Sequence, residues 1–184
     1  MIFEFLGNSG SGKSTLIPIL IRILQDEGLI AMSMTEAIHY YMRKTYLGRI
    51  IGFLAPQAWN GPILWRVFSH FNSRLCTARF ALQNPRLMCY VIKSQLRRPI
   101  PRQHRRLILR LFFQMAGGYH FLKSRVQPDH ILILDEAFVH RVVHMFASES
   151  EPIRPDQVLE YLKLLPRSDL VIMVQAPLEM CLAR

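Results

Sequence analysis

Near its start the chain reads Gly7-Asn8-Ser9-Gly10-Ser11-Gly12-Lys13-Ser14, followed by Thr15. This is G-x-x-x-x-G-K-[ST], a spacing with direct chemical meaning. Glycines let the backbone curl until several N–H groups converge on phosphate oxygens. A helix opening at the lysine adds partial positive charge. Lys13 can then bridge the β- and γ-phosphates of a nucleoside triphosphate, and the Ser14 hydroxyl can ligate Mg²⁺. Gly7 to Thr15 is therefore the candidate ATP-binding loop. Asp135 is the matching acid. It follows Ile131-Leu132-Ile133-Leu134, and a carboxylate there can hold Mg²⁺ directly or through water. Glu136 can either polarise an attacking water or cap the next helix.

These groups need a frame. Residues 2–6 read as a short buried strand, and residues 13–27 as a helix that stops near Gly28. Residues 29–34 read as a second strand. Thr35 is placed to cap a helix over 36–47. The middle is expected to be helical, with breaks at Pro56, Gly61-Pro62, Asn84-Pro85 and Pro99-Ile100-Pro101. Four consecutive apolar residues at 131–134 predict a central parallel strand buried on both faces. A helix at 137–147, a loop around Pro152 and Pro155, a helix at 156–165, a strand at 170–174 and a last helix from Pro177 complete the pattern. Strands alternating with helices imply an α/β fold, a three-layer, doubly wound parallel sheet. The expected organisation is one domain over 1–184, with 37–128 as a helical, basic insert.

Charge is distributed unevenly. The chain has 23 Lys and Arg against 13 Asp and Glu. Between Glu36 and Asp129 there is no acid, while residues 37–128 hold sixteen Lys and Arg. Such a field concentrates anions and repels itself unless something neutralises it. The candidates are a phosphorylated substrate, nucleic acid, an anionic membrane or an acidic partner; a solvated basic face is the plainer alternative. Phe53, Trp59, Trp65, Phe68 and Phe71 are interleaved with Arg49, Arg66 and Arg74. They read as helix core, with base stacking plus phosphate contact as the other reading. Cys76, Cys89 and Cys181 form no CxxC pair, which argues against a disulfide framework or zinc site. The N-terminus shows no secretory pattern and no apolar run is long enough to span a bilayer, so a soluble cytoplasmic protein is expected.

The run from Gly7 to Thr15, then Leu24-Gln25-Asp26-Glu27-Gly28 and Thr35-Glu36, resembles the opening of nucleoside- and nucleotide-kinase-like proteins, thymidylate kinases especially. Val171-Ile172-Met173-Val174 and Ala176 to Arg184 resemble the fourth strand and the approach to the lid in that group. The resemblance implies a P-loop fold and phosphoryl transfer from ATP with Mg²⁺. It implies that Glu36 takes the proton of an acceptor hydroxyl or orients a base, the plainer alternative being a Glu favoured at a helix N-terminus; that Arg141 faces the substrate phosphate, the alternative being a solvent-facing Arg; and that Arg184 is the first lid arginine. It also implies a lid, a fifth strand, a base-holding loop and a final helix beyond residue 184, so the sequence is read as a fragment or as having lost these parts, and weak or no activity is expected of this length. Leu6 stands where thymidylate kinases have Glu, their Arg-Glu-Pro signature is missing, and Asp135 precedes Glu rather than Arg. The resemblance therefore implies the fold more than thymidine monophosphate as substrate.

The leading expectation is a kinase-like protein acting on a small, nucleotide or otherwise anionic acceptor. The others are an ATP-hydrolysing module, with Gly117-Gly118 upstream of the acidic strand, and a basic surface binder. Expected partners are a nucleoside triphosphate and its acceptor, nucleic acid or an anionic membrane surface through 37–128, and a second copy in a homodimer.

Overall fold

The strand that organises the molecule is β3, His130–Leu134, all five residues of which are buried. The computed structural model describes all residues except Ser9, 55–56, 70–72, Glu136, 147–153, Leu178, Met180 and 182–184, and leaves aside the side chains of 57–60 and His144. Strand residues alternate between faces, and β3 uses both. Ile131 and Ile133 enter one core with Phe5, Ile17 and Ala31, while Leu132 and Leu134 enter a second, larger one. A strand with no polar face suits the middle of a covered parallel sheet.

β3 lies between β1 (Ile2–Leu6) and β2 (Ile30–Ser33), and β4 (Leu170–Met173) adds to the far side of β1. The order β2-β3-β1-β4 is parallel throughout. The architecture is α/β, with helices against both faces. One face is covered by α1, Lys13–Asp26, through Ile17, Leu20, Ile21 and Leu24. That is the i, i+3, i+4, i+7 stripe of an amphipathic helix. α1 stops where Gly28, at φ 81°, takes the left-handed conformation, and Leu29 and Gly28 N–H donate back to Leu24 and Gln25 carbonyls at 2.9 and 3.0 Å. This is a Schellman cap. β4 ends the sheet among the described residues, with Leu170, Val171 and Met173 exposed.

The other face carries α2 (Met34–Arg43), α3 (Tyr46–Leu54), α4 (Gln57–Val67), α5 (Ser73–Gln83), α6 (Pro85–Arg97), α7 (Arg102–Lys123), α8 (Arg141–Phe146) and α9 (Pro155–Leu164). Breaks fall at Pro85 and around Pro99-Ile100-Pro101, as their chemistry requires. Four local expectations are corrected. Ser33 rather than Thr35 caps α2, in a reciprocal box with Glu36, and the chain turns at Thr45 before α3 instead of running to residue 47. Pro62 lies inside α4. An interior proline costs a helix about 3 kcal/mol, but α4 and the turn after it bury Leu64 and Phe68, each worth about 1.5–3 kcal/mol. Gly117 lies inside α7, where a Cβ would sit 2.5 Å from Ser73 O and 2.6 Å from Thr77 Oγ1, so close packing on α5 requires it.

The fourth correction concerns the segment after Asp135. The expected helix from 137 begins only at Arg141, because the Phe138 carbonyl and the Val139 N–H bond to distant partners. Val139 N–H donates to Glu4 Oε1 at 2.7 Å, and Phe138 C=O accepts from Tyr161 Oη at 3.0 Å. Glu4 is buried in mid-strand, and its other oxygen accepts from Ser168 Oγ at 3.0 Å. Burial pushes its carboxyl above the usual range and outweighs these hydrogen bonds. A folded-state value above the unfolded one favours folding fully below the unfolded value, and that contribution is lost as pH rises through the folded value. Glu4→Gln keeps an acceptor for Val139 and gives Ser168 a donor. Urea titrations above about pH 4.5 should therefore show stability falling with pH in the parent and a flatter profile in the variant. Parallel profiles would remove Glu4 as the source.

The expected last helix falls largely outside the described residues. Cys76, Cys89 and Cys181 are free. No helix among the described residues is long and apolar enough to cross a membrane.

Candidate functional site

Parallel strands place their following loops at one edge of the sheet, and β1 and β3 are direct neighbours, with Glu4 opposite Leu134. The glycine loop and Asp135 thus leave the sheet side by side. Backbone chemistry fixes the loop's path. Gly10 and Gly12 sit at φ 79° and 95°, values that side chains with a Cβ rarely adopt. Ser11 N–H donates to Asn8 O at 3.2 Å, closing the turn. Gly7 is pressed against the end of β4, where a Cβ would strike Val174 O and lie 2.7 Å from Ser11 Oγ. Val174 N–H ties that end to Leu6 O at 2.7 Å. Ser11 Oγ is buried with no hydrogen-bond partner among the described residues.

Gly12 is the N-cap of α1, with no side-chain cap and no acid in the first turn. Thr15 and Leu16 N–H both bond Gly12 O at 3.0 Å. The first residue of the helix is Lys13, only 8% exposed. Its ammonium donates to Gly7 O at 2.7 Å and Asn8 O at 2.9 Å, and no described carboxylate pairs with it. A buried cation at the positive end of a helix dipole breaks two local rules at once. Such violations are expected where a site binds something.

Ser14 lies one residue on and faces a cavity of about 480 Å³, which Asp135 and Arg141 also line. The structure brings these three predicted residues together. The start of α2 adds Ser33 and Thr35 to the rim. Sequence reasoning had not found the wall of this cavity: Ile38, Trp65, Phe68, Leu111 and Met115, with Gln114 among them. The signal was present, because a glutamine between Leu111 and Met115 interrupts an apolar stripe of α7. Arg141 is the one cation among the lining residues. None of the sixteen bases of 37–128 is among its described lining residues.

Glu36 is not among the lining residues. Its carboxylate accepts Ser33 N–H at 2.8 Å within the capping box, which is a structural role for the residue expected to be the acceptor base. Thr15 is exposed on α1. Ser9, Glu136 and Arg184 lie outside the described residues. A second cavity of about 480 Å³ borders Gly7 and Asn8 on the other side and is walled by residues 173–177. Compared with known proteins, the chain matches no family model and no curated protein.

Proposed function

We propose that the protein is a P-loop phosphotransferase that binds ATP with Mg²⁺ and passes the γ-phosphoryl group to a small acceptor. One observation carries this reading: Lys13 is buried at the positive end of α1 with no carboxylate partner among the described residues, its ammonium resting on the loop carbonyls of Gly7 and Asn8. A chain gains nothing in stability from that placement, and an incoming triphosphate supplies the missing negative charge. The strand order supports the same reading, since ligands of open α/β sheets bind beyond the carboxyl ends of adjacent strands.

The donor set fits Mg²⁺. Ser14 hydroxyl and Asp135 carboxylate are hard oxygen donors at one cavity, and they are the residues that would hold the ion. When bound, it neutralises charge on the β- and γ-oxygens. Lys13 orients the phosphates, and Arg141 faces the transferred charge from across the cavity. Catalysis is then positioning and electrostatic stabilisation. The apolar wall and single arginine suit an acceptor with an apolar or planar body and few charges.

Asp135→Asn tests the assignment. Triphosphate affinity measured by calorimetry should rise with Mg²⁺ in the parent, and the variant should lose about tenfold or more of that increment, while Mg²⁺-free binding is unchanged. An identical Mg²⁺ dependence in both proteins would count against it. A screen of hydroxyl and phosphate acceptors with labelled ATP then identifies the substrate.

A further inference from the structure

Residues 43–54 read Arg-Lys-Thr-Tyr-Leu-Gly-Arg-Ile-Ile-Gly-Phe-Leu, with three cations and no acid. Within this stretch α3 is turned the unusual way round. Gly48 is buried, where a Cβ would collide with Met42 O, and Ile51 packs against the core. Positions three apart share a helix face, so Gly48 and Ile51 define the inward side. Tyr46, Ile50 and Phe53, with Leu47 and Leu54 beside them, define the outward one. Phe53 is 88% exposed, Tyr46 80% and Leu54 74%. Single exposed apolar residues are ordinary. Five on one face of a nine-residue helix form a contiguous patch of the kind that marks an interaction site.

Charge decides what covers it. Arg49 lies on α3 itself, and Arg43 and Lys44 directly precede it in sequence, within the acid-free segment of sixteen bases. Arg43 and Arg49 have no ion-pair partner among the described residues, and Lys44 Nζ rests 4.0 Å from the Tyr40 ring centre. A second copy would bring two such fields together, which is unfavourable. A nucleic acid would satisfy the cations but gain little from Leu47, Ile50 and Leu54. An anionic lipid surface satisfies both. Interfacial helices place aromatic and aliphatic residues at the acyl boundary and cations among the headgroups, and nearby basic residues add attraction. We infer that α3 docks the protein on an anionic membrane surface, with Tyr46, Leu47, Ile50, Phe53 and Leu54 entering the interface and Arg43, Lys44 and Arg49 meeting lipid phosphates. No described helix can span the bilayer, so the contact is peripheral. It does not depend on the phosphate loop.

The test is co-sedimentation of the full chain with phosphatidylcholine vesicles, with and without about one-third phosphatidylserine. Binding should be about tenfold or more stronger to the anionic vesicles and weaken as salt is added. Phe53→Ser with Leu54→Ser removes exposed apolar area but no charge. It should lower vesicle binding about tenfold or more, with the urea midpoint and triphosphate affinity unchanged. Lys13→Ala should bind vesicles like the parent, which separates this outcome from failure of the phosphotransferase reading. The inference is overturned if the parent ignores anionic vesicles, or if the double variant binds them equally well. It is also overturned if the substitutions dissolve a homodimer or weaken binding to a single-stranded oligonucleotide while the parent shows no vesicle binding.

Discussion

Replacing Lys13 by Ala is expected to abolish measurable triphosphate binding and leave the fold standing. Both halves follow from one geometry. The ammonium is placed to make charge-assisted hydrogen bonds to phosphate oxygens, each worth about 1.5–3 kcal/mol. Losing two of them weakens binding by two or more orders of magnitude. In the unliganded protein the same ammonium is buried beside a helix N-terminus, with Gly7 and Asn8 carbonyls as its partners. Alanine forfeits those two bonds, but it also removes a desolvated cation from the positive end of a dipole, and water can reach carbonyls at the mouth of a loop. The two effects nearly cancel, so the urea midpoint should correspond to a change within about 1 kcal/mol. Calorimetric titration with ATP and Mg²⁺ reads the first half and urea denaturation the second. Undiminished affinity would remove Lys13 from the site. Loss of affinity accompanied by loss of the fold would make the lysine a structural residue and remove the main support for the proposed function.

The sheet was legible because its signals are local. Four apolar residues before Asp135 can only be a strand covered on both sides, and three glycines around a lysine dictate a curled loop. The helix start was assigned to Thr35 although its signal is equally local: Ser33 and Glu36 have the spacing of a capping box, and that pairing engages the Glu36 carboxylate with the backbone. What could not be read depends on partners distant in sequence. Nothing near Val139 announces that its N–H will be taken by Glu4, 135 residues away, so the start of α8 was misplaced. Pro62 looked like a break because the burial of Leu64 and Phe68 is decided by other helices, α2 and α3 beside α4 and Phe121 of α7 against Phe68. The cavity wall drew on α2, α4 with the residue after it, and α7 together, and its scarcity of cations contrasts with the composition of the segment that supplies most of it.

Phe138→Ala should be the most destabilising single change near the site. The ring is buried, stacks on Phe80 at 5.5 Å between centroids, and meets Tyr119 and Phe112 edge-on at 5.1 and 5.9 Å. Truncating a buried phenylalanine costs about 3–5 kcal/mol, and its aromatic pairs contribute about 0.5–1.5 kcal/mol each beyond their area. Against a total stability of about 5–15 kcal/mol, that loss leaves little in reserve. The position matters as much as the size. Phe138 lies three residues beyond Asp135, and its carbonyl accepts the hydroxyl of buried Tyr161, whose ring in turn packs on Phe146 at 5.6 Å. The side chain therefore clamps the segment that carries the acid from β3 towards Arg141. Loosening it should weaken the Mg²⁺-dependent part of nucleotide binding more than the part owed to Lys13, because the loop is braced separately by β4 through Gly7 and Val174. If the alanine variant does not fold, Phe138→Leu keeps most of the volume and should lose about 1–2 kcal/mol. A urea midpoint for Phe138→Ala within about 1 kcal/mol of the parent would mean that the aromatic cluster does not hold this segment, and Asp135 would then need another anchor.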